Sequence, residues 1–200
     1  MQGRALADLG LTDDAEKVLG QVARRHPGNV DAANTLGILY MDERRVKDAI
    51  TRFRQAARSA PKNASVHNNL GFALMAAGRN DEAVEVLRKA LSFDGSQIRT
   101  RNNLGFALVA TGQDKAAWRV FRASGDSADA RYNLALAQEL RGDVDAAMVS
   151  YTTALTENPD LGDARAAIQR LREIEHPPEE PSDDATSPSD VSSPPEENSP

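Results

Sequence analysis

Apolar positions along this chain follow a helical period that stops and restarts. Between residues 64 and 97, Leu70, Ala73 and Leu74 recur at helical spacing, Gly78 interrupts, and Ala83, Val86, Leu87 and Ala90 resume the stripe. Steps of three and four put such residues on one face of an α-helix, and a glycine just past the last of them is a helix stop. The stretch therefore predicts a helix, a short turn, and a second helix capped by Asn80 or Asp81. Each helix would be near or below the ~12–15 residues at which an isolated helix is even marginal in water. Such a pair cannot cover its own apolar face and needs a neighbour of the same kind.

The rest of the chain supplies the neighbours. The letters NNLGFAL stand at 68–74 and again at 102–108, 34 residues on, and the longer copies at 68–83 and 102–117 agree at ten of sixteen positions. Ala15, Ala49, Ala83 and Ala117 keep the 34-residue step, as do Gly3, Gly37, Gly71 and Gly105, and Leu19, Phe53, Leu87 and Phe121. Pro27 and Pro61 follow it, with Gly95 in the next such place. A last copy, from Tyr132 to Pro159, keeps the order but comes four residues early, since Gly112 and Gly142 are 30 apart. Gly71 and Gly105 are expected to let neighbouring helix backbones approach closely, with Ala83 and Ala117 on the facing side. After Pro159, Asp163 is placed to cap a final helix. Its apolar stripe would be Ala164, Ala167, Ile168, Leu171 and Ile174, with Arg165, Gln169, Arg170 and Glu173 opposite.

Leu-Gly, then an apolar residue, then Ala, an aromatic or Leu, and Pro, on a 34-residue period, resembles the tetratricopeptide repeat. The resemblance covers residues 1–161. It implies an all-α fold, a right-handed α-solenoid of helix–turn–helix units spanning 1–174. A partial unit at 1–29 precedes units at 30–63, 64–97, 98–127 and 128–161, and a capping helix at 162–174 closes the stack. With Leu36-Gly37 in slots 7 and 8 of a unit, slot 4 departs from the family's usual Trp. Ala33, His67, Arg101 and Arg131 stand there, and Gln138 replaces a bulky apolar residue in slot 11. The chain opens inside a first helix, so either that unit is frayed or residues precede it.

The resemblance also implies a concave face made from slots 2, 5, 6, 9, 12 and 13. Slot 5 holds Asn34, Asn68 and Asn102, and slot 6 holds Asn69, Asn103 and Asn133. Slot 9 holds Ile38, Phe72, Phe106 and Leu136, slot 12 holds Met41, Met75 and Val109, and Arg99 is in a slot 2. A carboxamide donates and accepts at once, which matches the alternating N–H and C=O of an extended peptide. Phe and Met beside it suit a partner's apolar side chains. The candidate peptide-binding residues are thus Asn34, Asn68, Asn69, Asn102, Asn103, Asn133, Phe72, Phe106, Met75 and Arg99. Two alternatives stay open. Asparagine is common at slot 6 of the family whatever is bound, and Phe72 and Phe106 suit packing between adjacent first helices equally well.

Composition narrows the function classes. Aromatics are only 4% of the chain, so the core must be built mainly from Ala and Leu. There is no Cys, which removes disulfides, thiol catalysis and Cys-ligated metal, and the three separated histidines make no metal site. Asp13-Asp14, Asp81-Glu82 and Asp143 with Asp145 resemble acidic pairs, but each falls at the start of a second helix, where acids suit the dipole. Ser124-Gly125-Asp126-Ser127 lacks the strand–turn–helix setting of a hydrolase motif and reads as a linker. No phosphate loop or dinucleotide fingerprint occurs. The net charge of −6 is uneven: residues 175–200 hold eight acids, seven of the ten prolines and no Lys or Arg. That tail reads as disordered. The remaining 22 acids against 24 bases leave the body near neutral, unlike a phosphate-binding face.

The expectation is a non-catalytic adaptor whose partner is a protein or extended peptide. No cofactor, nucleic acid, small-molecule substrate or membrane insertion is expected. The alternatives are a structural or oligomerisation module and a chaperone cofactor with a carboxylate clamp, the latter disfavoured because Asn34, Ile38, Asn69, Arg99 and Asn103 occupy its positions and only Asn69 and the charge of Arg99 agree. The run from Asn102 to Asp143 is also similar to tetratricopeptide components of bacterial pilus-assembly and secretion systems of the tight-adherence type. As written the chain carries no export signal and reads as cytoplasmic. A signal upstream of Met1 would make it periplasmic or outer-membrane-associated.

Overall fold

The structure is a computed structural model that describes residues 2–123 and 125–175. The acidic stretch 176–200, expected to be disordered, lies outside the described residues. Among those described, the chain is all helix and turn. The helices are α1 (Gln2–Asp8), α2 (Thr12–Arg25), α3 (Val30–Asp42), α4 (Val46–Ser59), α5 (Ala64–Ala76), α6 (Asn80–Phe93), α7 (Ile98–Ala110), α8 (Asp114–Arg122), α9 (Ser127–Arg141), α10 (Val144–Glu157) and α11 (Gly162–Glu175). Each odd helix through α9 packs on the even helix that follows it, each even helix touches the next pair, and α11 lies on α10. Odd helices also touch the odd helices on either side, α3 against α5 and α7 against α9. The result is a one-dimensional stack of hairpins, an α-solenoid.

Local chemistry sets the ends. Asn29 and Asn63 cap α3 and α5 by accepting from the amides of Ala32 and Val66, and Asp126 and Asp143 do the same for α9 and α10. The start of α6 differs from expectation. Asn80 and Asp81 already lie inside the helix, and the capping position is Arg79, whose guanidinium instead donates to Glu82 at 2.6 Å and 2.7 Å. Asp163 likewise sits within the first turn of α11 and does not cap it. Within hairpins the chain turns through the left-handed region at Gly10, Gly78, Gly112 and Gly142, with φ of +74°, +71°, +75° and +87°. The corresponding turn between α3 and α4 uses Arg44 at φ +59°.

The joint inside each unit is a side chain seated on a glycine. A Cβ added at Gly71 would lie 2.5 Å from Leu87 Cγ, and one at Gly37 would lie 2.5 Å from the Phe53 ring. Phe121 fills the same place over Gly105. The glycines therefore admit a buried side chain of the second helix, more than they let two backbones meet. In the last unit Ala135 and Tyr151, both fully buried, occupy the two places. Ala49, Ala83, Ala117 and Ala147 are also fully buried. One apolar cluster runs from α2 to α9, and a second joins α9 and α10 to Ala164, Ala167, Ile168 and Leu171 of α11. Ile174 is not part of that stripe and stands 69% exposed.

At slot 4, Ala33 is fully buried and His67 is buried with its ring edge on Phe93, 5.4 Å between centroids. Arg131 stacks 3.9 Å over Trp118. The shortfall falls in α8, which has 9 residues where α4, α6 and α10 have 14, and the longer α9, 15 residues against 13 in α7, makes up part of the difference.

Candidate functional site

On α3, α5 and α7 most of the partly buried and exposed residues fall three or four apart and form a stripe. On α3 it is Asp31, Asn34, Thr35, Ile38 and Asp42; on α5, Ser65, Asn68, Asn69, Phe72 and Ala76; on α7, Arg99, Asn102, Asn103, Phe106 and Ala110. Two hydrogen bonds sew these stripes into one surface. Asn69 Nδ2 donates to Asn34 Oδ1 at 3.0 Å, and Asn103 Nδ2 donates to Asn68 Oδ1 at 2.9 Å. Slot 6 of one unit thus meets slot 5 of the unit before it. Each amide retains a further donor or acceptor, since a carboxamide carries two of each. The third rung of the pattern, between Asn102 and Asn133, is not formed, and Asn102 Oδ1 is buried with no hydrogen-bond partner.

The apolar members of this face divide by their surroundings. Phe72 is 50% and Ile38 43% exposed. Phe106 leans edge-on against Phe121, with centroids 5.6 Å apart, and is only partly exposed. Phe72 has no such support, because Leu87 stands where Phe121 does in the next unit. Met75 is half-buried and packs on the core cluster. Arg99 is exposed.

Two clusters that the sequence pattern did not reveal tie the ends of the stack. Glu16 of α2 accepts from the Tyr40 hydroxyl at 2.8 Å and from Arg45 at 2.8 Å. These bonds, Arg45's first, hold its carboxyl below the usual range. Asp114 of α8 accepts from Gln138 at 2.7 Å and from Arg141 at 2.6 Å and 3.1 Å. Burial pushes the Asp114 carboxyl up, but the bonds from Arg141 and Gln138 outweigh it and the net shift is downward. Gln138 also accepts from Ser150 at 2.7 Å, so the amide that departs from the pattern at slot 11 is bonded at both its nitrogen and its oxygen. Tyr40 and Gln138 share that slot, where the units between carry Leu74 and Leu108. That shared slot was the available signal.

The tetratricopeptide repeat family matches residues 1–48, 34–98 and 115–161. The chain belongs to the tetratricopeptide repeat family. Similar solved structures are those of YrrB, described as a tetratricopeptide repeat protein with an unusual peptide-binding site, and of MamA. YrrB is 20% identical, with a TM-score of 0.67 over 84% of this chain and 88% of YrrB. MamA is 22% identical, with a TM-score of 0.66 over 80% of this chain and 96% of MamA. A thermophilic tetratricopeptide repeat protein of Thermus thermophilus, TTC0263, is 20% identical, with a TM-score of 0.57 over 86% of this chain and 95% of its own. These likenesses are of fold. No curated protein matches the chain in sequence. Proteins of this family generally mediate protein–protein interaction. Among the described residues no helix is long and apolar enough to cross a membrane.

Proposed function

We propose that this tetratricopeptide protein is a non-catalytic adaptor that holds a segment of a partner protein against the face shared by α3, α5 and α7. The observation that carries this is the pairing of unsupported apolar side chains, Ile38 and Phe72, with a row of carboxamides on one continuous surface. The apolar pair offers burial, and each free amide edge offers the alternating donors and acceptors of a peptide backbone. YrrB, which shares the fold, has a peptide-binding site. A chaperone-cofactor clamp fits less well, because Ile38 offers no hydrogen bond where the clamp needs an amide and Asn34 already accepts from Asn69.

The test is Asn68, Asn69, Asn102 and Asn103 changed together to Ala, with a partner first captured on the whole chain. Each hydrogen bond lost to a bound segment should cost about 0.5–1.5 kcal/mol of affinity, so four together weaken a micromolar complex beyond detection. Normal binding by the folded fraction would remove the asparagines from the site. Assembly subunits of bacterial pilus and secretion systems are the first partners to try, on the strength of the run from Asn102 to Asp143.

A further inference from the structure

Two charges on the shared face have the wrong sign for the helix ends that carry them. Asp42 is the last residue of α3, at the negative end of the helix dipole, and no basic residue stands in that turn. Arg99 is the second residue of α7, at the positive end, and no acid stands in that turn. Both are exposed, and among the described residues neither side chain makes a hydrogen bond or an ion pair. Asp31, on the α3 stripe, and Asp129 of α9 lie in first turns where acids suit the dipole, so their placement has a structural reason. Glu157, an acid at the end of α10, has Arg131 beside it at 3.7 Å. Arg101, near Arg99, is held by the carbonyls of Gly95 and Ala123. Asp42 and Arg99 are left with a cost to folding and no compensation within the chain.

Their positions are ordered. Asp42, Ile38, Phe72 and Arg99 lie on a diagonal across α3, α5 and α7, with the two exposed apolar side chains between opposite charges. Neighbouring helices sit ~10 Å apart and rise ~1.5 Å per residue. The steps are therefore about 6 Å from Asp42 to Ile38, about 10 Å to Phe72 and about 15 Å to Arg99. A segment in extended polyproline-II geometry advances ~3.1 Å per residue with three residues per turn, so side chains three apart face the same way. The steps match about two, three and four to five residues of such a segment, and the long charged side chains reach across the remainder.

Building on the groove reading above, we infer that the partner segment is extended and dipolar, crossing the groove on this diagonal. It carries a cation over Asp42, two apolar side chains three residues apart on Ile38 and Phe72, and an anion four residues further on, paired with Arg99. The chain's own acidic tail lacks such an apolar pair and any Lys or Arg, so the occupant belongs to another protein.

The test uses four synthetic decapeptides of the form Xaa-Ser-Leu-Ser-Ser-Leu-Ser-Ser-Ser-Xaa, whose ends are Lys and Glu, Lys and Lys, Glu and Glu, or Ser and Ser. Binding to the whole chain is read by fluorescence anisotropy at low salt, for the native protein and for Asp42→Lys, Arg99→Glu and Phe72→Asp. The native protein should prefer the Lys/Glu peptide by about two- to five-fold per charge, the range of an exposed ion pair. Arg99→Glu should shift the preference to Lys/Lys, and Asp42→Lys to Glu/Glu. Both charge variants should melt no lower than the native protein, since each removes a dipole conflict. Equal binding of all four peptides, abolished by Phe72→Asp, would overturn the dipolar segment and leave the groove reading standing. Binding unchanged by Phe72→Asp, or no binding of any peptide, would overturn both.

Discussion

Arg44 and Gly71 show how a single residue's backbone or bulk decides the fit of a unit. Arg44 holds φ +59° in a turn where the other hairpins use glycine. An L-residue there costs about 1–2 kcal/mol, partly offset by the greater freedom glycine has when unfolded. Arg44→Gly should therefore raise stability by up to about 1 kcal/mol, measured by urea denaturation. A loss of stability would mean that the arginine side chain contributes more than its strain. Gly71→Ala should do the reverse. Its Cβ would collide with Leu87, which is fully buried and cannot swing aside, and overpacking of this kind costs about 1–3 kcal/mol. Leu70→Ala, at a residue 6% exposed, should cost about 2–5 kcal/mol as a core truncation and loosen the adjoining units with it. The positions of these residues were legible in the repeat. That the glycine hosts a side chain and not a backbone was not, because the period marks which residues recur but not which atoms they meet.

At the scale of elements, helix existence and order follow from apolar spacing and glycine stops, whereas helix starts do not. Arg79 and Leu11 occupy capping positions without a side-chain cap, so the turn geometry set by Gly78 and Gly10 fixes where those helices begin. The candidate site was half legible. The stripe of asparagines could be read from the slots, but their mutual pairing depends on a one-slot offset between neighbouring helices that only packing sets. That pairing gives the asparagines a structural share. Asn34→Ala and Asn69→Ala should each destabilise by about 0.5–1.5 kcal/mol, and the double variant should cost less than their sum. Asn102 and Asn133, which form no rung, should be additive. Coupling between Asn102 and Asn133 as strong as that between Asn34 and Asn69 would show that the third rung exists in solution.

For the whole molecule, joints built on partly buried carboxylates at the two ends frame largely uncharged joints in the middle. Glu16 with Tyr40 and Arg45 ties α2 to the unit after it, and Asp114 with Gln138 and Arg141 ties α8 to α9. Glu139 adds bonds from Tyr151 and Arg170 at the same far end. The central units meet through Leu74 and Leu108 and the neutral Asn34–Asn69 and Asn68–Asn103 pairs, which do not titrate, with one exposed ion pair, Arg54–Glu82, beside them. The carboxyls of Glu16 and Asp114 are both depressed in the folded chain. Their contribution is therefore present above the ordinary carboxylate values of about 4 and is lost as pH falls below them through the depressed folded values. Asp94, also depressed by its bonds from Ser96 and Gln97, lies partly exposed in the turn before α7 and acts only locally. In a linear stack each unit is held by its neighbours, so weakening an end joint frays the end before the middle. Hydrogen exchange at pH 3, corrected for the intrinsic rate and compared with pH 7, should show α1, α2 and α9–α11 losing protection while α5–α7 keep it. Glu16→Gln should reduce the loss at the first end alone, and Asp114→Asn at the other, because a neutral amide has no proton to gain. If protection falls evenly along the chain, and neither substitution changes where it falls, then repulsion among the chain's 24 Lys and Arg residues drives acid unfolding, and the two joints do not act as its hinges.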